Sequence, residues 1–205
     1  MNKSLIILLI LSILFTAFMI INFAKTDTAK DIKALNKKKN DSNIIETKIP
    51  FEEIKLAGSQ ISLLKPKPWH TYQERSSNGL NYYITPYKYD DLAKFIRGLA
   101  VTIIMDVSKT EGITADEYAL SCIKNAKTID KKLKLTKVNI QHLKGYLFRI
   151  EGKERTPNSL VTSFLFVADN KYDIFYTFIF QYERKNWKET FPIRNTIFKN
   201  IKFTQ

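Results

Sequence analysis

The chain has 205 residues, 44% of them hydrophobic and 26% charged, which is the composition of one folded domain with appendages. Its aromatic content of 13% excludes a wholly disordered chain, because the rings bury enough apolar surface to offset the entropy of ordering. The formal net charge is +13; Lys3 and residues 25–48 contribute +4 of it, which leaves +9 for residues 49–205. This excess favours anionic partners, either lipid headgroups or acidic proteins, although lysine-rich codon usage explains it equally well. Nucleic acid is disfavoured as a partner, because the cations are scattered and form no arginine stripe.

The first 24 residues have the pattern of a membrane anchor. Residues 5–24 are almost uninterruptedly apolar, and about 20 helical residues span the hydrocarbon core of a bilayer. A signal-peptide core is shorter, about 7–15 residues, and ends at a small-x-small cleavage site, whereas Asn22 and Phe23 precede Ala24 here. We therefore predict that residues 1–24 form an uncleaved signal anchor with one transmembrane helix. The alternative is a cleaved signal peptide with a secreted or periplasmic domain.

The orientation of this anchor follows from the charges around it. The positive-inside rule counts Lys3 on one side against a lysine cluster on the other, which by itself places the domain in the cytoplasm. Only Lys25 of that cluster flanks the apolar run closely, and Asp27 and Asp31 dilute its charge. A run that begins at residue 5 is also typical of an export signal. We expect a single-pass protein of the cell membrane with an extracytoplasmic domain, and keep a cytoplasmic domain as the alternative.

A polar segment follows the anchor. Residues 25–48 contain seven lysines, four acidic residues and few large apolar side chains. This composition predicts a solvated stalk, with a polybasic lipid-binding segment as the alternative. Beyond it the pattern changes to short alternating runs, so we predict a globular domain at residues 49–205.

The alternating runs of this domain predict strands. The dipeptide Asn78-Gly79 lies between two of them and is a hairpin signal. Turns of about three residues join other neighbouring strands, which requires them to be antiparallel. The predicted strands are Ile61–Leu64, Trp69–Arg75, Leu80–Thr85, Leu99–Val107, Leu133–Leu143, Gly145–Glu154, Leu160–Ala168 and Tyr172–Tyr182.

Two amphipathic helices and one short helix accompany the strands. The first helix begins with a capping box, in which Thr114 caps and Glu117 reaches back. The second is predicted to begin near Asn186, and Pro192 is expected to kink or divide it. The short helix is predicted from Asp91 to Arg97. Because each long helix has an apolar stripe, we expect each to cover a sheet face, which makes the fold class α+β.

Three short motifs occur in order along the domain. Residues 65–69 read Lys-Pro-Lys-Pro-Trp, residues 145–146 read Gly-Tyr, and residues 198–203 read Phe-Lys-Asn-Ile-Lys-Phe. With the elements between them, over residues 58–203, the chain resembles the PsbP-like domain family, which is named for an extrinsic photosystem protein and has similar domains in bacterial envelope proteins such as DcrB and in a yeast Ran-binding protein. The resemblance implies an antiparallel sheet sandwiched by helices and a role in binding or assembly. The membrane anchor and an insert near residues 86–98 depart from the photosynthetic members.

Residue types that carry catalysis are sparse. His70 and His142 are far apart, and with the single cysteine, Cys122, they form no zinc-ligand spacing. Neither a nucleophile elbow nor a phosphate-binding glycine loop occurs. Cys122 falls on the apolar stripe of the first long helix, which predicts a buried structural thiol. We therefore predict no cofactor, no metal and no enzymatic activity; an unrecognised hydrolase that uses Glu151 and Glu154 is a weaker hypothesis.

The best candidate for recognition is the segment 82–97, which reads YYITPYKYDDLAKFIR. Tyrosines on a connection supply contact area at low entropic cost, and basic neighbours attract anionic partners. The alternative is that these tyrosines pack on the sheet and its edge. The candidate binding residues are Tyr87, Lys88, Tyr89, Lys94 and Arg97.

Together these features favour a membrane-anchored, non-catalytic binding or assembly module with a protein partner in the cell envelope. The alternative is a binder of anionic lipid or of an envelope polymer, which would use the basic surface of the domain.

Overall fold

The computed structural model describes residues 49–76, 79–88, 95, 97–152 and 159–204. Residues 5–24, for which the sequence predicts a transmembrane helix, and the predicted stalk lie outside these ranges. Within them, no helix combines the length and the apolar character that a membrane crossing requires. The chain from Ile49 onward forms one compact unit.

The described part of this unit contains ten strands and three helices. They are β1 (Phe51–Lys55), β2 (Ile61–Pro66), β3 (His70–Ser76), β4 (Gly79–Thr85), β5 (Gly98–Ile104), α1 (Val107–Glu111), α2 (Ala115–Ile129), β6 (Thr136–Ile140), β7 (Leu143–Glu151), β8 (Leu160–Asp169), β9 (Ile174–Glu183), α3 (Arg184–Lys199) and β10 (Lys202–Phe203).

The strands form two antiparallel sheets. The large sheet has seven strands in the order β3-β4-β5-β9-β8-β7-β6, and the small one has the order β1-β2-β10. The hairpin predicted around Asn78-Gly79 is present, since β3 pairs with β4 from Ser76↔Gly79 onward. The predicted architecture of antiparallel strands with helices is therefore confirmed for the described part of the chain.

The core lies between one face of the large sheet and the elements that cover it. Along β9, Tyr176, Phe178 and Phe180 point to this face because side chains alternate along a strand. Phe203 of β10 packs on the Tyr176 ring at 4.8 Å, and Trp69 stacks on Phe180 at 6.3 Å. The helix α3 and the small sheet thus bury the central strands on this side.

The opposite face receives the helix α2, which packs against β8 and β9. The predicted capping box begins this helix: Thr114 Oγ1 accepts from the backbone N of Glu117 at 3.3 Å, and Glu117 Oε2 accepts from the backbone N of Thr114 at 2.9 Å. The Tyr118 ring meets Phe175 of β9 edge-on at 5.1 Å. Each long helix therefore covers its own face of the large sheet, as its apolar stripe predicts.

Three predicted strand ends are wrong for one shared reason. The strand predicted over Leu99–Val107 ends at Ile104, the one over Leu133–Leu143 ends at Ile140, and the one that begins at Tyr172 begins at Ile174. A residue with positive φ lies at each place, and this left-handed conformation interrupts the pleat that alternation assumes. These residues are Asp106, Gln141 and Asp173.

The helix α3 also differs from its prediction. It begins at Arg184 with Glu183 as its N-cap residue, two residues before Asn186, and it continues through Pro192 without a break. Pro192 and Lys188 are both exposed, so the Lys188 carbonyl, which lacks a helical donor, lies on the solvent side of the helix. The expected division at Pro192 is therefore wrong, and the expected kink stays a prediction.

Two further differences concern the start of the domain. The strand β1 was not predicted, and β2 continues through Lys65 to Pro66 although these residues were expected to stop it. Lys65 is buried because its ammonium donates to the Trp69 carbonyl at 2.7 Å and pairs with Glu52 of β1 at 2.5 Å. Most of the short helix predicted at Asp91–Arg97 lies outside the described residues.

Candidate functional site

The residues that the sequence nominated for recognition are placed in different environments. Tyr87 and Lys88 are exposed, whereas Arg97 is only 9% exposed. Tyr89 and Lys94 lie outside the described residues, so their role stays a prediction. Of the nominated residues that the structure describes, it brings Tyr87 and Arg97 together, and it places the arginine inside.

Arg97 is held by a buried carboxylate. Its guanidinium pairs with Oε1 of Glu183, a residue that is 2% exposed, and its Nη1 donates to the Tyr87 hydroxyl at 2.8 Å. Burial disfavours the charge of Arg97, but Glu183 and Tyr87 outweigh this effect and raise the pKa of the guanidinium. Glu183 Oε2 has no hydrogen-bond partner among the described residues. Because Glu183 compensates its charge inside the chain, Arg97 contributes to the stability of the fold.

The neighbouring tyrosines follow the alternative interpretation, in which they pack on the sheet. Tyr82 lies in the core, where its hydroxyl donates to the Ala57 carbonyl at 2.5 Å. Tyr83 is half-buried, and its ring lies 5.5 Å from that of Phe95. These two side chains contribute packing and leave Tyr87 and Lys88 as the displayed part of the segment that is described.

A second arginine has a different environment, and the sequence did not nominate it. Arg194 lies on α3 and points at β8, where its Nε and Nη2 donate to Ser163 Oγ at 3.1 and 2.8 Å. Its guanidinium carbon lies 5.2 Å from the centre of the Phe191 ring and 4.9 Å from that of Phe198. Positions three and four apart share one helix side, which places the arginine between two aromatic rings.

Arg194 has no ion-pair partner within the described ranges. Ser163 and Asn195 accept its hydrogen bonds, and both are neutral. Burial lowers the pKa of its guanidinium, and repulsion by Arg149 adds to this effect; an arginine nonetheless keeps its proton in water at neutral pH. The side chain is therefore a partly desolvated cation whose counter-charge is not supplied by the described residues.

One carboxylate of β7 pairs with two other arginines. Glu151 pairs with Arg149 at 3.1 Å and with Arg184 at 2.7 Å. Arg149 lies opposite Ser163 in the β7–β8 register, on the same sheet face as Arg194. In the described residues, Arg149, Arg184 and Glu151 thus form ion pairs, whereas Arg194 has none.

Aromatic side chains border this cationic region. Phe191 is 37% exposed, and its ring lies 6.0 Å from that of Trp187. Arginine and tryptophan are the residue types that most often dominate protein interfaces. We name the set formed by Arg149, Trp187, Phe191, Arg194 and Phe198 the arginine–aromatic surface.

Sequence reasoning missed this surface for a specific reason. Trp187, Phe191 and Phe198 fitted the spacing of an apolar stripe, which predicts burial. The signal that could have revealed it is Arg194 within the same stripe, at i+3 from Phe191 and i−4 from Phe198. A cation that lies among apolar positions on one side of a helix is costly unless another group compensates its charge.

The remaining chemical groups lie apart from this surface. A shallow groove of about 200 Å³ is lined in part by Asp116, His142 and Asp169. His70 is on β3 and His142 is in the turn before β7, and the sheet order places these elements near opposite edges. Burial raises the pKa of the Cys122 thiol to about 12. In the ranges that the structure describes, no three His, Cys, Asp or Glu side chains cluster as metal ligands.

Comparison with known proteins gives similarity at the level of structure. No protein-family model matches the chain, and no curated protein matches it at a significant level. The solution structure of PsbP from the cyanobacterium Synechocystis is 12% identical, covers 80% of this chain and 98% of its own, and has a TM-score of 0.47. The Ran-binding protein Mog1p of Saccharomyces cerevisiae is 10% identical, with coverage of 77% and 97% and a TM-score of 0.42.

A crystal structure from Bacteroides thetaiotaomicron is 12% identical with a TM-score of 0.44; it covers 75% of this chain, which spans about half (48%) of that protein's length. The structural neighbours of this chain thus include a PsbP and a Ran-binding protein, both at low identity. A PsbP and a yeast Ran-binding protein are also the proteins to which the sequence resemblance points.

Proposed function

We propose that this protein is a membrane-anchored, non-catalytic binding or assembly module whose domain lies on the extracytoplasmic face of the cell membrane. The observation that carries the proposal is Arg194, a partly desolvated cation with no in-chain carboxylate in the described residues, beside the exposed Phe191 ring. Such an arrangement carries a desolvation cost that the charge of a partner would offset. Its presence on the surface therefore supports a binding role.

The membrane part of the proposal rests on the sequence of residues 5–24 and on the charges that flank it. A topology reporter fused after Gln205 tests the orientation. Activity of a reporter that functions only outside the cytoplasm is the expected result. Activity of a cytoplasmic reporter would contradict the extracytoplasmic assignment, and release of the chain into the soluble fraction would contradict the anchor.

The binding role is tested by affinity purification of the tagged full-length chain from solubilised membranes after mild crosslinking. We expect at least one protein to be recovered in a stoichiometric amount, and recovery to fall for an Arg194→Gln variant. A wild-type chain that recovers no stable partner under several solubilisation conditions would contradict the proposed function.

A second function, binding of an anionic lipid or envelope polymer, is favoured by the charge of α3. The helix carries Arg184, Lys185, Lys188, Arg194 and Lys199 against the single acid Glu189. Flotation of residues 49–205, which lack the predicted anchor, with vesicles that contain or lack phosphatidylglycerol distinguishes this function. Attachment that depends on neither the anionic lipid nor the salt concentration would remove it.

A further inference from the structure

Arg194 keeps two donors for an acceptor from outside the chain. A guanidinium has five N–H donors, and three of them point at acceptors here: those of Nε and Nη2 at Ser163 Oγ, and one of Nη1 at Asn195 Oδ1. One N–H on each terminal nitrogen is left without a partner among the described residues. A carboxylate accepts a two-point bond from two N–H groups of one guanidinium.

The surroundings strengthen such a bond. Phe191 and Phe198 flank the guanidinium at 5.2 and 4.9 Å, and they keep water from part of its surface, so that an ionic bond formed there is stronger than one in open solvent. Ser163 is fully buried in β8 and fixes the position of the guanidinium. A cation that is already ordered loses little further entropy when it binds.

The charge balance favours an acidic ligand. Glu151 is held by Arg149 and Arg184, so an incoming carboxylate meets excess positive charge and no in-chain competitor that pairs with Arg194 in the described residues. Arg149, which is half exposed, adds attraction at the rim. Complementary charge of this kind guides association and selects the partner.

We propose that the arginine–aromatic surface binds an acidic segment of a partner protein, in which one Glu or Asp side chain pairs with the terminal nitrogens of Arg194 and a neighbouring apolar side chain packs on Phe191. This inference rests on the proposed function and specifies the chemistry of the partner.

A protein segment fits this surface better than a lipid surface does. A helix that lies in a membrane interface offers a continuous exposed apolar face, whereas Ile193 and Ile197 of α3 are buried against the sheet. One fixed arginine with aromatic neighbours is instead typical of the central residues of protein interfaces.

The test measures fluorescence anisotropy of rhodamine-labelled hexapeptides with the full-length chain in non-ionic detergent. One peptide pool combines Glu, Phe and Leu at random, and a matched pool has Gln in place of Glu. We expect the Glu pool to bind more tightly, Arg194→Gln to lower its affinity at least about tenfold, and Arg194→Lys to lower it nearly as much, because an ammonium lacks the planar pair of donors. Lys188→Gln removes an exposed cation of the same helix and should change the affinity less than about twofold.

Three results would overturn the inference. The first is equal affinity for the two peptide pools, and the second is an equal loss of affinity in Arg194→Gln and Lys188→Gln. The third is Arg194-dependent binding to phosphatidylglycerol vesicles in place of the peptides, which would assign the surface to lipid. Thermal unfolding of each variant checks its fold, and Ser163→Ala provides a variant that keeps the arginine but removes its anchor; we expect it to weaken binding several-fold. If the peptide measurements contradict this inference while the chain still co-purifies with a stable protein partner, only this inference is wrong. If no partner is recovered, the proposed function falls.

Discussion

Arg97 is buried and Arg194 is half-buried, and the two arginines approach opposite faces of the large sheet. Arg97 pairs with Glu183, whose side chain is on the α2 face of β9, whereas Arg194 contacts Ser163 on the α3 face of β8. The first arginine has its counter-charge within the chain, and the second has only neutral acceptors and aromatic rings among the described residues. Burial alone therefore does not define the role of an arginine; the origin of its counter-charge does.

The largest effect is expected from breaking the compensated pair. Arg97→Met leaves the Glu183 carboxylate buried without its partner, which should cost about 3–5 kcal/mol of unfolding free energy. Denaturant unfolding followed by tryptophan fluorescence measures this loss. Lys88→Met, an exposed lysine near the same connection, is the matched control and should change stability by less than about 0.5 kcal/mol. A similar small change in both variants would show that the pair is not held as described.

A second variant replaces both members of the Arg97–Glu183 pair. Arg97→Met combined with Glu183→Met removes both charges and also the Glu183 Oε2 acceptor that lacks a partner among the described residues. Because buried pairs are often worth little relative to apolar replacements, the double variant should lie within about 2 kcal/mol of the wild type. The measurement is the same unfolding experiment, analysed as a double-mutant cycle. Losses that simply add would contradict the account of a mutually compensated pair.

A smaller loss is expected on the other face. Arg194→Met removes hydrogen bonds to Ser163 but also relieves repulsion with Arg149, so we expect a cost of about 1 kcal/mol. Unfolding of this variant beside Arg97→Met gives a direct comparison. A loss as large as that of Arg97→Met would mean that a group within the chain compensates Arg194, and it would break the distinction between the two arginines.

The smallest effect concerns an exposed charge that is also satisfied within the chain. The backbone and side chain of Thr114 hold the pKa of the Glu117 carboxyl below its ordinary value of 4.5. A carboxyl with a lowered folded-state pKa stabilises the fold above its unfolded-state pKa, and this contribution is lost as the pH falls through the folded-state value. Glu117→Gln should therefore lose part of the acid sensitivity of the melting temperature below about pH 4.5. An unchanged pH profile would argue against the capping box.

The sequence predicted those parts of the fold that depend on periodicity. Alternation located most of the strands, and the capping box at Thr114 located the start of α2 because both its members lie within one helical turn. Strand ends at Asp106 and Asp173 were missed, because their left-handed conformation depends on contacts between distant segments: Asp173 accepts from the Ser108 backbone N at 2.9 Å.

The binding surface was less predictable than the fold. Spacing cannot tell whether an arginine faces a carboxylate from a distant strand, so Arg97 was nominated although Glu183, 86 residues away, takes its charge. Arg194 was not nominated because it lies within an apolar stripe. In the folded chain it has no carboxylate partner among the described residues. Charge compensation is a tertiary property, and it decided both cases.

The most direct measurement of this distinction is NMR spectroscopy of the arginine side-chain nitrogens in the full-length chain, with and without the Glu peptide pool. The account predicts that the Arg194 Nε resonance shifts and its N–H exchange slows when the peptides are added, while the Arg97 resonance stays in place. An unchanged Arg194 signal at peptide concentrations that saturate binding, or equal shifts at both arginines, would contradict the claim that the counter-charge of Arg194 comes from outside the chain.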